Sequence, residues 1–205
     1  MILKELDPFP GGPQALAAQI SADRMAYYLR RFYRRSDVID VINDLSVRSG
    51  HSTARADHLL VHAYGLLVVQ REDLSGRVRI DDDGQWLQWS SGQAVSMGSP
   101  ITRAYVQALL LKAFLDKRVR QKGFFDKLDL DVLVVVSDDC EIEWPATGQL
   151  AEVCHREQVF ERVMARVAQS RDGTILAGPL NPSERRVLGR FLRLSHCAAL
   201  RLAPD

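Results

Sequence analysis

The chain lacks most of the features by which common protein classes announce themselves. It has three cysteines, Cys140, Cys154 and Cys197, in 205 residues. Odd in number and far apart, they build neither a disulfide framework nor a Cys-x-x-Cys metal clip, and they read as buried or inert thiols. No run approaches the roughly 18 apolar residues of a membrane helix. Met1 to Pro13 lacks the basic-then-apolar order of a signal peptide, so the expectation is a cytoplasmic protein with no membrane contact. A glycine-rich phosphate loop and a Gly-x-Ser-x-Gly elbow are also missing, which sets aside nucleotide-driven motors and serine hydrolases. An excess of one charge is absent too: 27 Lys and Arg face 26 Asp and Glu, a net charge of +1. Nucleic-acid binders often carry a strong basic excess or stripe. Any such argument here must rest on local clusters.

What is present is a chain with 46% apolar and 26% charged residues, enough to bury a core without staples. We expect one domain over 1–205, with a core at about 20–145 and a C-terminal helical part at about 150–205. Ala18, Ala22, Met25, Leu29 and Phe32 recur at helical spacing. The helix they predict ends in Arg30, Arg31, Arg34 and Arg35, which complement the negative end of its dipole. A solvated helix end is the first reading of these arginines and a nucleic-acid contact the second. Val38–Leu45, Ala56–His62 and Leu66–Arg71 read as strands. The last two are joined through Ala63-Tyr64-Gly65 into a hairpin, where Gly65 supplies a permissive backbone.

Arg77–Ile80 and Trp86–Trp89 read as two more strands flanking Asp81-Asp82-Asp83-Gly84, an acidic β-turn without the ligand spacing of a calcium loop. Pro100 opens a helix to about Arg120 through Ile101, Tyr105, Leu109 and Ala113. Leu130–Val136 is aliphatic nearly throughout, as in a strand buried on both faces, and Glu141–Trp144 suggests a short return strand. Two helices follow. Glu157–Gln169 turns Phe160, Val163, Met164 and Val167 inward, and Pro182–Leu194 carries the capping-box pair Asn181 and Glu184. The fold class expected is α/β, a mixed central sheet flanked by helices.

Chemistry gathers on one strand pair. Asp57 interrupts the apolar strand Ala56-Asp57-His58-Leu59-Leu60-Val61, and a carboxylate there must be solvated, paired or metal-bound to offset desolvation. On the partner strand, alternation puts Gln70 and Glu72 on one face and Arg71 on the other. The histidines His58 and His62, four apart in strand sequence, lack the glutamate of a zinc-protease helix and read as ordinary strand residues. Asp131, Asp138, Asp139, Glu141 and Glu143 read as a solvated turn after a buried strand. Lys112, Lys117, Arg118, Arg120 and Lys122 offer phosphates a basic edge, a weak signal on its own.

The stretch ADHLLVHAYGLLVVQRE, Ala56 to Glu72, resembles the nuclease-related domain family, a branch of the restriction-endonuclease-like PD-(D/E)xK fold. In that family an Asp-His pair, an apolar strand, a glycine turn and a second apolar strand lead to Glu-x-Lys. Asp23 on the first helix, Gly76, Trp86 and Ser99-Pro100-Ile101-Thr102-Arg103 extend the resemblance over Ala22 to about Leu115. The resemblance implies a mixed sheet flanked by helices, with an aspartate and a glutamate holding one or two divalent ions. Such ions lower the pKa of a bound water and neutralise the scissile phosphate, while the lysine positions that water.

The sequence departs from the family where that chemistry resides. The glutamate is Gln70, the lysine Glu72, the helix glutamine Arg103 and the asparagine Ser99. Two functions follow, and both stay open at this point. One is a nuclease-like domain for nucleic-acid binding or DNA processing, with impaired or lost catalysis. The other is an active phosphodiesterase using Mg2+ or Mn2+ at a variant Asp57, Gln70, Glu72 site, with Asp57, Glu72 and Asp23 as metal ligands. Arg103, His58 and Arg71 are the expected pocket or nucleic-acid contacts. The partners implied are nucleic acid, DNA foremost, and a protein partner or second copy. The reciprocal change to Glu72 and Arg103 also predicts a salt bridge across the pocket, worth ~3 to 5 kcal/mol if buried.

Overall fold

A computed structural model describes the chain except for residues 10, 91, 119–127, 174–178 and 199–205. The described residues form an α/β structure of two sheets flanked by four helices, consistent with the restriction-endonuclease-like architecture expected. Among them no helix is long and apolar enough to cross a membrane.

The main sheet is built from Ile2–Lys4 (β1), Ile39–Ser49 (β2), Ser52–His62 (β3), Gly65–Glu72 (β4), Asp129–Val136 (β8) and Val153–His155 (β10). These strands lie side by side in that order. β2, β3 and β4 form an antiparallel meander, whereas β4, β8 and β10 run parallel and β1 lies parallel to β2. The mixed sheet is therefore as expected, and β8 is indeed buried on both faces from Val132 to Val136.

Helices α1 (Pro13–Tyr33) and α3 (Val159–Gly173) cover the face that carries Leu60, Leu67, Val69, Leu133 and Val135. Helices α2 (Pro100–Arg118) and α4 (Pro182–Ser195) cover the opposite face, with Val61, Leu66, Val68, Val132 and Val134. Asn181 caps α4 through the expected box with Glu184. A 3-10 turn at Arg156–Gln158 leads into α3.

A second sheet comprises, side by side, Gln93–Met97 (β7), Trp86–Ser90 (β6), Gly76–Ile80 (β5) and Cys140–Glu143 (β9). Its inner residues Val78, Ile80 and Trp86 join the α2-side core. The short strand after β8 does not return along it but pairs in parallel with β5. Strands β5, β6 and β9 lie where Arg77–Ile80, Trp86–Trp89 and Glu141–Trp144 are expected to form strands, whereas β7, together with β1 and β10, escapes a search for apolar runs. β1 and β10 are three residues long, and β7 is almost wholly exposed.

Helix phase is the other correction. On α2 the buried positions are Pro100, Ala104, Ala108, Leu111, Phe114 and Leu115, while Leu109 is 61% exposed. The helix is apolar nearly all round, so periodicity alone leaves its rotation open, and the small Ala104 and Ala108 let it sit close to the sheet. On α1 and α3 the rings of Phe32 and Phe160 lie outside the core and stack on each other at 4.7 Å. Met164 is likewise exposed, and Val159 takes the inward place.

Gly65 is required for a different reason than turn geometry. It has no positive φ, but a Cβ there would meet the Asp129 carbonyl oxygen at 2.1 Å. The glycine lets β8 start directly against β4.

One irregularity places the site. Ile42 and Leu45 face the same core although three residues apart, and so do Ala56 and Leu59 on the paired strand. Period-two alternation therefore breaks where Asp44 faces Asp57. Asp44 has φ 54°, the one positive φ at a non-glycine position among the described residues, and such a residue marks local strain.

Candidate functional site

Below this break β3 leaves β4. Their last backbone pair is His58 with Val69, whereas β4 stays in register with β8 through Glu72. Side chains stitch the gap. The Gln70 Oε1 accepts from the Asp57 N–H at 3.2 Å, and its Nε2 donates to the Arg55 carbonyl at 3.1 Å. The amide of Gln70 thus replaces a missing peptide link of the ladder. Asp57 reciprocates, its Oδ2 accepting from the Arg71 N–H at 2.8 Å.

Charge then surrounds the stitched end. The Arg71 guanidinium lies 3.9 Å from the Asp57 carboxylate and 3.5 Å from that of Asp73. Burial pushes the Asp57 carboxyl above its ordinary value, opposed by the Arg71 charge and N–H and reinforced by Asp44 and Asp73. Glu72 is also pushed up, first by burial, with Arg103 opposing and Asp57 and Asp73 adding to the rise.

The Glu72–Arg103 salt bridge is present. Arg103 Nη2 donates to Glu72 Oε1 at 2.7 Å, and Nη1 donates to the Gly98 carbonyl at 3.0 Å. It is not buried, however: the Arg103 side chain is 51% exposed. The cost of breaking a buried pair therefore does not apply, and about 1 kcal/mol or less is the proper scale.

His58 sits fully buried beneath Asp57, its Nδ1 donating to Asn43 Oδ1 at 2.8 Å. Burial, aided by the Arg71 charge, lowers its pKa to about 3, so the ring is neutral. Asp23 accepts from Gln19 Nε2 on the exposed side of α1. That helix covers one face of the sheet, while Glu72 meets Arg103 of α2 on the other. Asp57, Gln70, Arg71, Glu72 and Arg103 are thus brought together, and Asp23 stands apart from Glu72.

Two features have no local signal in the sequence. Asp7, Asp44 and His196 bring ligand-type atoms within 4.8 Å of one another. Lys4 Nζ already stands among them, 3.1 Å from Asp7 and 3.8 Å from Asp44. His196 accepts from the Ser46 N–H at Nδ1 and meets Asp7 through Nε2 at 2.7 Å. The second is a cleft of about 630 Å³ between α1 and the carboxyl ends of β4 and β8, lined among others by Ser21, Arg24, Asp73, Ser137, Asp138 and Arg156. Crevices at that end of parallel strands are common ligand sites in α/β folds. Both features join residues far apart in the chain, which only the fold can bring together.

As folded, the strand-end residues do not fit a divalent ion well. Glu72 already holds a guanidinium, the Gln70 oxygen holds a backbone N–H, and the third acidic candidate is across the sheet. Hard cations need several converging oxygens. In comparisons with known proteins, the family model described as nuclease-related domain matches residues 18–137. No curated protein and no solved structure gives a match.

Proposed function

This chain belongs to the nuclease-related domain family, and from that premise we propose that it is a one-domain nuclease-like protein that binds nucleic acid, DNA foremost, with its hydrolytic site impaired or lost. The observation that carries this reading is the 2.7 Å pair between Glu72 and Arg103. Where the family pattern has a lysine beside a metal-binding acid, this chain has an acid already neutralised by an arginine. Gln70 adds to the case, since an amide supplies no negative charge and is occupied in stitching β3 to β4.

A second reading is an active phosphodiesterase holding Mg2+ or Mn2+ on Asp57 and Glu72. It is favoured by the repulsion among these carboxylates, with Asp57 contributing to the raised pKa of Glu72, because a cation between them would relieve it. It requires Arg103 to swing aside, which its exposure permits.

Supercoiled and single-stranded DNA, incubated with Mg2+ or Mn2+, separates the two. The test set is the wild-type protein, Asp57→Asn, which keeps an acceptor for the Arg71 N–H, and Arg103→Gln. We expect DNA to be retarded in a gel by all three proteins and cut by none. Metal-dependent cutting by the wild type that Asp57→Asn abolishes would establish the second reading. Absence of binding to any DNA or RNA would overturn both.

A further inference from the structure

The inner side of α1 is settled by Ala22, Met25, Ala26, Leu29 and Tyr33, all buried. Helical spacing puts Arg24, Tyr27 and Arg31 on the opposite side, followed by Arg34 at the helix cap and Arg35 in the turn beyond. All five are exposed, Tyr27 by 62%.

The arginines of this segment are not equivalent. Arg30 is matched by Glu5 at 2.6 Å. Arg24, Arg31, Arg34 and Arg35 have no carboxylate within ion-pair distance among the described residues. Glu157 and Glu161 on the neighbouring segment make no pair with them, and Asp23 is engaged with Gln19 on the flank of α1. Four uncompensated guanidinium groups in a nearly neutral chain form a local positive stripe.

Aromatic surface accompanies the stripe. Phe32 and Phe160 remain 38% exposed as a stacked pair, and Arg156 lies over the Tyr28 ring at 5.6 Å. At its upper end the stripe runs into the cleft that Ser21, Arg24 and Arg156 line. A solvated helix end accounts for the charge but not for Tyr27 left bare among arginines. Cations that track phosphates and rings on which bases stack are the two parts of a single-strand binding surface.

We propose that the outer face of α1, from Arg24 to Arg35, binds single-stranded nucleic acid. The four arginines take the phosphates, and Tyr27, with the Phe32–Phe160 pair at its margin, offers a stacking platform for bases. The stripe is about 16 Å long, the span of about five stacked nucleotides. This inference rests on the nucleic-acid reading above and names its surface. It places that surface on the far side of α1 from the sheet, so binding survives when the strand-end site does no chemistry.

Fluorescence anisotropy with a labelled oligo(dT) strand, and with the same strand in duplex, tests the proposal at several salt concentrations. The variants are the fourfold change Arg24→Gln, Arg31→Gln, Arg34→Gln and Arg35→Gln, the single change Tyr27→Ala with Tyr27→Phe beside it, and Arg30→Gln as the matched control. Because these side chains face solvent, circular dichroism should show an intact fold. We expect the fourfold variant to lose at least tenfold in single-strand affinity. Its salt slope should fall by about 3, at roughly 0.7 per phosphate contact. Tyr27→Ala should cost about fivefold or more, Tyr27→Phe little, and Arg30→Gln less than twofold.

Wild-type binding that the fourfold variant retains in full would overturn this surface while leaving the family reading intact. Duplex preference with no effect of Tyr27→Ala would overturn the single-strand assignment. A wild type that binds anionic vesicles but no oligonucleotide would overturn the inference and the nucleic-acid reading together.

Discussion

Two arginine–carboxylate pairs join a helix to the main sheet at nearly the same distance and differ in almost everything else. Arg185 of α4 donates to Asp40 of β2 at 2.9 Å, with side chains 4% and 0% exposed. Arg103 of α2 donates to Glu72 of β4 at 2.7 Å, with side chains 51% and 19% exposed. Water screens the second pair and not the first, so the one behaves as a fastening and the other as a movable contact. The movable pair is the one at the candidate site, where an arginine that can leave decides whether Glu72 is available.

The largest effect that would break this comparison is expected from Arg185→Met. It leaves Asp40 buried with one cationic partner fewer, and should destabilise by about 3 kcal/mol. That is the lower end for such a change, because the Met1 amino group stays 3.0 Å from Asp40. Urea denaturation measures it, and a loss below about 1 kcal/mol would remove the distinction between the pairs. Adding Asp40→Asn to Arg185→Met should recover part of the loss.

A second effect comes from His58, buried on the strand next to that of Glu72. Its pKa is lowered to about 3 in the folded protein, against about 6.5 unfolded. Between those values the unfolded chain binds the proton and the folded one does not. The stabilisation is therefore complete above about pH 6.5 and is lost as pH falls toward 3. From about pH 7 to about 4.5 the His58 share of the loss should be about 2 to 3 kcal/mol. It is read from denaturation midpoints at the two pH values as the difference between wild type and His58→Asn, because the buried His62, lowered to about 4, adds a loss of its own in that window. His58→Asn should flatten this slope.

Smaller still, Arg103→Gln should cost about 1 kcal/mol or less. A loss near that of Arg185→Met would show that the Glu72 pair is shielded after all. Asp57 supplies the smallest effect and the opposite sign. Its carboxyl is raised by burial, so its contribution is lost as pH rises through the shifted value, above the ordinary 3.8. Across about pH 4 to about pH 7, where His58 makes stability rise with pH, Asp57→Asn should therefore make that rise steeper, and a shallower rise in the variant would contradict the assignment.

The site is legible in the sequence in part because its pieces lie close together along the chain. Asp57, Gln70, Arg71 and Glu72 sit on one hairpin, whose short turn sets them side by side, and alternation puts Gln70 and Glu72 on a common face, whereas the contact of Arg71 with Asp57 arises where the strands part. The Arg103 pair follows from charge reciprocity, but its exposure does not, and with exposure goes the size of its effect. The role of Gln70 as a link between diverging strands has no signature, since nothing in the residue type says that the ladder ends at Val69.

The same line divides the fold. Patterns within a few dozen residues suffice for the long elements, the β3–β4 hairpin, the α4 cap and the resemblance to the nuclease-related domain, and all of these can be read from the amino acids. The rotation of α2, strand β7, the gathering of β5, β6, β7 and β9 into a sheet of their own and the separation of Asp23 from Glu72 emerge only when the chain has packed. Each of these turns on which surfaces meet across the sheet. A helix apolar on every side, or a strand of three residues, carries no local record of the neighbour that will cover it.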